Sequence, residues 1–355
     1  MFNPRSTRGL AAAATIVALS ACSGVSQFSP GTQQGAFSQS IAQQNRASIP
    51  SVAALSADAK KAPSLIFAAD EGSQKVAGGV YAYEDTGSNQ SPIWELTGSP
   101  LKYPSGLWVD GSGNLYVADA GGAVYEYNKP TSSGPPGAPN FTYSDAGYQP
   151  NHIAVCGNYL YAANTIGPSS SSIYMTVWKI GTSKPSKIVA INGPQGPGYG
   201  VTCNDTTGNV YFGIDVSYDG PGQTNEYAAG GTGSPTSLCM TPQYLQGLTF
   251  NKKDTTMVLG DPYYQTGSGQ NEPRIEFWKP TGCSPLHAIT ASWIVNPTGF
   301  AYESTDKYLW EADAGNNSLH QILPSKGTLE NTITKTTAGV FASLQDVAIS
   351  PADHK

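Results

Sequence analysis

The stretch "NLYVADAGGAVYEY", Asn114 to Tyr127, reads as strand, tight turn, strand. Apolar and aromatic residues crowd both halves, and Ala120-Gly121-Gly122 supplies the turn between them. An acid, Asp119, closes the first strand. Used as a probe, its first half finds five companions: "SLIFAAD" ending at Asp70, "YLYAAN" at Asn164, "NVYFGID" at Asp215, "TMVLGD" at Asp261 and "YLWEAD" at Asp313. The intervals are 49, 45, 51, 46 and 52 residues. That period belongs to β-propellers, which spend about 40 to 50 residues on each four-stranded blade.

Each unit repeats one grammar. An inner strand opens on a turn ("PSGLWVD", "PNHIAVC", "PGYGVTC", "LQGLTFN", "PTGFAYE"), the probe strand follows, and a third, aromatic-rich strand and a weaker fourth complete it. The first unit lacks an inner strand, and the C-terminal "LQDVAIS", Leu344 to Ser350, supplies one. Pairing it beside Ser64–Asp70 closes the ring and removes two exposed edges. The fold expected is all-β: a six-bladed β-propeller closed by its C-terminal strand.

Composition agrees. The chain has 355 residues with 40 Gly, 26 Pro and 20 Tyr, but only 12% are charged. No stretch after residue 62 carries a capped 3.6-residue apolar period, so almost no helix is expected. The formal net charge is −6. Removing residues 1–21 takes away Arg5 and Arg8 and no acid; 19 basic residues less two leave 17 against 25 acids, near −8. Nucleic acid is therefore not an expected partner, because its phosphates call for clustered Lys and Arg.

The N-terminus reads as an address. Arg5 and Arg8 form a positive segment, and Gly9 to Leu19 is an apolar run too short to span a bilayer. The sequence Leu19-Ser20-Ala21-Cys22 resembles the bacterial lipobox. The resemblance implies cleavage after Ala21 and lipidation of Cys22; an ordinary secretory signal is the alternative. Several acyl chains give stable anchoring, so the membrane is an expected partner and the cell envelope, outside the cytoplasm, the expected location. By the same resemblance, Ser23 favours the outer membrane or cell surface. Residues 22–62, rich in Ser, Gln and Ala, read as a tether. The domains expected are thus 1–21 signal, 22–62 lipidated Cys and tether, and 63–355 propeller.

"PSGLWVDGSGNLYVADAGGAVYEY" resembles an NHL-type repeat, of the six-bladed group that includes gluconolactonase-like proteins. The likeness spans about residues 64–350 and is clearest in the second blade. It implies the fold rather than a chemistry, since such propellers include enzymes, protein-binding scaffolds and RNA binders. The gluconolactonase-like enzymes hold a divalent metal on the propeller axis. Asp346 matches the position of their first ligand, and no second ligand matches by motif. His152, His287, His320 and His354 are scattered over different strands and the tail, a poor basis for a three-histidine zinc site.

Function is sought where the repeat breaks. Most inner strands open on glycine (Gly106, Gly200, Gly247, Gly299), whereas two carry His152 and Asp346. Both belong near the channel mouth, as ligand contacts or as a polar lining around trapped water. Long loops after Asn164, Asp215 and Asp261 place Tyr174, Tyr218, Tyr263 and Tyr264 on the same face. Tyrosines on Gly- and Ser-rich loops make binding surface at low entropy cost. The recurring Asp70, Asp119, Asn164, Asp215, Asp261 and Asp313 read as a structural ring of turns, because a catalytic acid is not copied into every blade whereas a turn is. Cys156, Cys203, Cys239 and Cys283 are either two disulfides, Cys156 with Cys203 and Cys239 with Cys283, or buried thiols.

The function expected is a monomeric, membrane-anchored binding module for a protein, peptide or glycan. The alternative is a metal-dependent hydrolase or lactonase. No cofactor is expected, save a divalent metal in the central channel under that alternative.

Overall fold

The computed structural model describes residues 64–350, apart from 74–75, 146, 166–172, 192–197, 215–221, 241–243, 267, 281–283 and 337–338. The signal, Cys22 and the tether therefore lie outside the described residues, as do Asp215, Tyr218 and Cys283.

Six four-stranded antiparallel sheets follow one another, each in simple up-and-down order. Blade two is Pro104–Val109, Leu115–Asp119, Ala123–Tyr127 and Phe141–Ser144. Blade three is Pro150–Cys156, Tyr159–Asn164, Ile173–Lys179 and Lys187–Ile191. Blade four is Gly198–Cys203, Val210–Ile214, Gln223–Ala228 and Thr232–Met240. Blade five is Gln246–Phe250, Met257–Asp261, Arg274–Lys279 and Ser284–Thr290. Blade six is Pro297–Tyr302, Leu309–Asp313, Ser318–Leu323 and Thr328–Ile333.

Blade one is assembled from both ends of the described chain. Its inner strand is Leu344–Ser350, followed by Leu65–Gly72, Ala77–Glu84 and Trp94–Thr97. The closing pair runs antiparallel, with Leu65 opposite Ser350 and Ala69 opposite Asp346. Each inner strand contacts the inner strands of the blades before and after it, so the ring is complete. The chain is a six-bladed β-propeller, as the repeat predicts.

The core lies between blades rather than within them. One apolar cluster joins blades two, three and four around Tyr143, Tyr161, Trp178 and Phe212; others fill the remaining gaps. Both faces of each sheet are thereby covered. The probe strands Leu115–Asp119 and Met257–Asp261 are accordingly buried at every position. Period-two exposure survives only on outer strands such as Phe141–Ser144.

Candidate functional site

Every inner strand shifts register as it enters its blade. Pro104 faces Asp119 and Gly106 faces Ala118, leaving Ser105 as an extra residue. The same shift singles out Asn151, Tyr199, Thr298 and Gln345, and blade five shifts between Gln246 and Thr249. A β-bulge re-aims side chains where it occurs. Here five bulges set Ser105, Asn151, Tyr199, Thr298 and Gln345 at equivalent positions where the inner strands begin, the top face. Sequence reading missed this set. Its signal was a polar residue just before the glycine position in each inner strand.

His152 and Asp346 immediately follow two of these bulges. His152 Nδ1 lies 3.5 Å from Asp346 Oδ2, and both residues are buried. They come from blades three and one, and meet past the inner strand of blade two. Leu107 N donates to Asp346 Oδ2 at 2.8 Å, and Val347 N to Oδ1 at 2.8 Å. Two glycines give the pair room. A Cβ on Gly106 would sit 2.2 Å from Asn151 O, and one on Gly299 would sit 2.1 Å from Asp346 Oδ1. Below the pair is a cavity of about 20 Å³, bounded by Leu107, Ile153, Val201, Leu248 and Phe300. That is room for about one water molecule.

Outside these positions the top face is aromatic. Tyr148 packs edge-on against Tyr174 at 5.1 Å. Tyr244 bridges Tyr199 and Tyr263, at 5.8 and 4.9 Å. The Arg274 guanidinium lies 3.1 Å over the Tyr264 ring and pairs with Glu276. Of the tyrosines expected here, Tyr174, Tyr263 and Tyr264 are half-buried, packed against Tyr148, Tyr244 and Arg274 respectively. Tyr103, which sequence reading passed over, is 53% exposed at the opening of blade two.

The turn residues act through backbone N–H groups. Asp119 Oδ1 accepts from Gly121 N at 2.7 Å, and Oδ2 accepts from Lys102 N at 2.6 Å and Tyr103 N at 3.0 Å. The carboxylate thus holds its own turn and clips the loop leading into the inner strand. Asp70 does the same with Gly72, Ala342 and Ser343, and Asp313 with Gly315, Asn316, Val295 and Asn296. The clip onto the leading loop was invisible in sequence, because it joins residues about 17 positions apart. Asn164 instead donates to Tyr174 O and Thr176 Oγ1. Asp261 Oδ1 accepts from Tyr263 N at 3.3 Å while its Oδ2 is an unpartnered buried oxygen, and burial pushes its pKa up to about 7.

Cys156 and Cys203 form a disulfide between the inner strands of blades three and four, with Cα atoms 6.0 Å apart. The proposed partner pair falls outside: Cys283 and the side chain of Cys239 are not among the described parts.

Blade six carries a further polar cluster. Glu311 faces His320 across the sheet, and Asp313 faces Ser318. His320 Nδ1 lies 2.6 Å from Glu311 Oε2, and Nε2 lies 2.8 Å from Ser318 Oγ. All four residues are buried. Burial drives Glu311 well above the ordinary carboxylate range, lowers His320 to about 4 and raises Asp313 to about 7. Reading the four histidines as scattered missed this cluster. The signal was Glu311 in "YLWEAD", where the other blades have Ala68, Val117, Ala162, Phe212 and Leu259.

Among solved structures, the chain is similar to a chain in the crystal structure of a nidogen/laminin complex. The TM-score is 0.58 at 14% identity, covering 82% of this chain and 100% of that one. At that identity the likeness speaks to the fold alone. No protein-family profile and no curated protein matches the chain.

Proposed function

We propose that this protein is a membrane-anchored, extracytoplasmic propeller that binds a protein or peptide on its top face. One observation carries the reading. Among the described residues the inner strands leave cavities of only about 20 Å³, one of them lined by Leu107, His152, Ile153, Phe300 and Asp346, while tyrosines collect around the mouth. A site for a small substrate needs a concave pocket; a surface for a macromolecule needs aromatic area on a rigid frame.

The anchor rests on Leu19-Ser20-Ala21-Cys22, which resembles a lipobox and supports a place in a bacterial cell envelope. An axial metal-dependent lactonase is the competing reading. It would need Asp346 as a ligand, yet among the described residues no cluster of three His, Cys, Asp or Glu ligand atoms includes Asp346, whose one such neighbour is His152.

Two measurements test the proposal. Metabolic labelling with radioactive palmitate in a bacterial host is expected to mark the full chain and not Cys22→Ala, which should leave the membrane fraction. Equal labelling of both would defeat the anchor. For the top face, the purified chain is screened on peptide and glycan arrays beside Tyr103→Ala and Tyr263→Ala. Peptide binding weakened about tenfold by these changes supports the reading; binding only to glycans, or binding that the variants leave intact, refutes it.

A further inference from the structure

The side chains of blade six form a directional chain. Asn316 Nδ2 donates to Trp293 O at 2.8 Å, a carbonyl that can only accept. The amide is thereby oriented, and its Oδ1 accepts the Ser318 hydroxyl proton. Ser318 Oγ lies 2.8 Å from His320 Nε2, and His320 Nδ1 lies 2.6 Å from Glu311 Oε2, a contact that shares one proton whichever tautomer holds.

Two neighbouring features favour more than a proton. Glu311 is fully buried, and its Oε1 has no hydrogen-bond partner. Asp313 lies near enough that one oxygen from each carboxylate and one His320 nitrogen fall within 4.8 Å of one another. Asp313 Oδ2 accepts one N–H, from Val295, and keeps lone-pair capacity. Glu311 and Asp313 are two residues apart on one strand and so share a face, with His320 directly across from Glu311.

We infer that blade six holds a divalent transition-metal ion of the zinc class between His320, Glu311 and Asp313, with one carboxylate oxygen from each acid meeting an imidazole nitrogen. Nitrogen and oxygen donors suit zinc, and two carboxylates balance its charge. Ser318 fixes the imidazole tautomer from behind, as partners of metal-bound histidines do. Binding displaces the proton shared by Glu311 and His320 to solvent. The site is closed and structural. It lies inside a blade, away from the axis, and departs from the sequence expectation of no metal.

The test uses the full chain, stripped with chelator under non-reducing conditions and titrated with Zn²⁺ and then Co²⁺. About one equivalent is expected to bind, with visible Co²⁺ d–d bands and a raised Tm. Glu311→Gln is the chosen variant, because its amide N–H can donate to His320 Nδ1. It should lose the metal-dependent rise, while Asp346→Asn should keep it. X-ray absorption of the zinc-loaded wild type should show one imidazole and otherwise oxygen ligands, a readout independent of whether the variants fold. No Tm shift and no Co²⁺ bands in the wild type would overturn the inference and leave a proton in the site. So would sulfur or several imidazole ligands, or metal lost in Asp346→Asn and kept in Glu311→Gln.

Discussion

Blades two and six differ from blades three and five at the same turn. In the first pair the Asp119 carboxylate accepts from three backbone N–H groups and the Asp313 carboxylate from four. In the second pair Asn164 donates instead, and Asp261 accepts from Tyr263 N and from the backbone N–H of Tyr244 in the leading loop, two groups rather than three or four. The fuller clip goes with short turns; the long loops and clustered tyrosines sit where it is weaker. Blades three and four are tied covalently, by Cys156–Cys203. One architecture is thus held by carboxylate clips at several turns and by a disulfide between blades three and four.

The largest break in this comparison should come from the disulfide. Its cysteines are 47 residues apart, so loop entropy puts the cost of Cys156→Ala with Cys203→Ala at about 4 kcal/mol. Guanidinium unfolding of the double variant against wild type measures it. Next is Asp119→Ala, which orphans the N–H groups of Lys102, Tyr103 and Gly121; a loss of about 3 kcal/mol is expected. Asp261→Ala at the matching position should cost about 1 kcal/mol or less, and equal losses at the two sites would erase the distinction drawn above.

A pH effect sharpens the same contrast. Burial raises Asp145, beside Thr176 in blade three, to about 7. The folded state therefore binds a proton that the unfolded chain, with its carboxyl near 4, has released. Stability contributed by this group is complete below about pH 4 and falls as pH rises to about 7. Asp145→Asn should flatten that decline and gain on the order of 1 kcal/mol at pH 8, read from thermal melts across pH. Tyr103→Ala should move stability least, within about 0.5 kcal/mol, because the ring is 53% exposed. A larger loss would show that the ring holds the fold rather than a ligand.

Much of this was legible in the chain. The spacing of Asp70, Asp119, Asn164, Asp215, Asp261 and Asp313 counted six blades, and "LQDVAIS" announced the closure. His152 and Asp346 stood out as breaks in a row of glycines, although their 3.5 Å approach did not. A repeat is local: each copy writes strand, turn and strand through residues a few positions apart, so periodicity alone determined the blades. The rest depends on residues far apart in sequence. The five bulges that set Ser105, Asn151, Tyr199, Thr298 and Gln345 at equivalent positions exist only in pairing register. The meeting of His152 with Asp346 depends on ring closure bringing together residues nearly 200 positions apart. The facing of Glu311 with His320 depends on how two strands align across a turn. Sequence determined which strands form and how many; tertiary structure decided which polar side chains share a site, because strand register and closure of the ring set those distances.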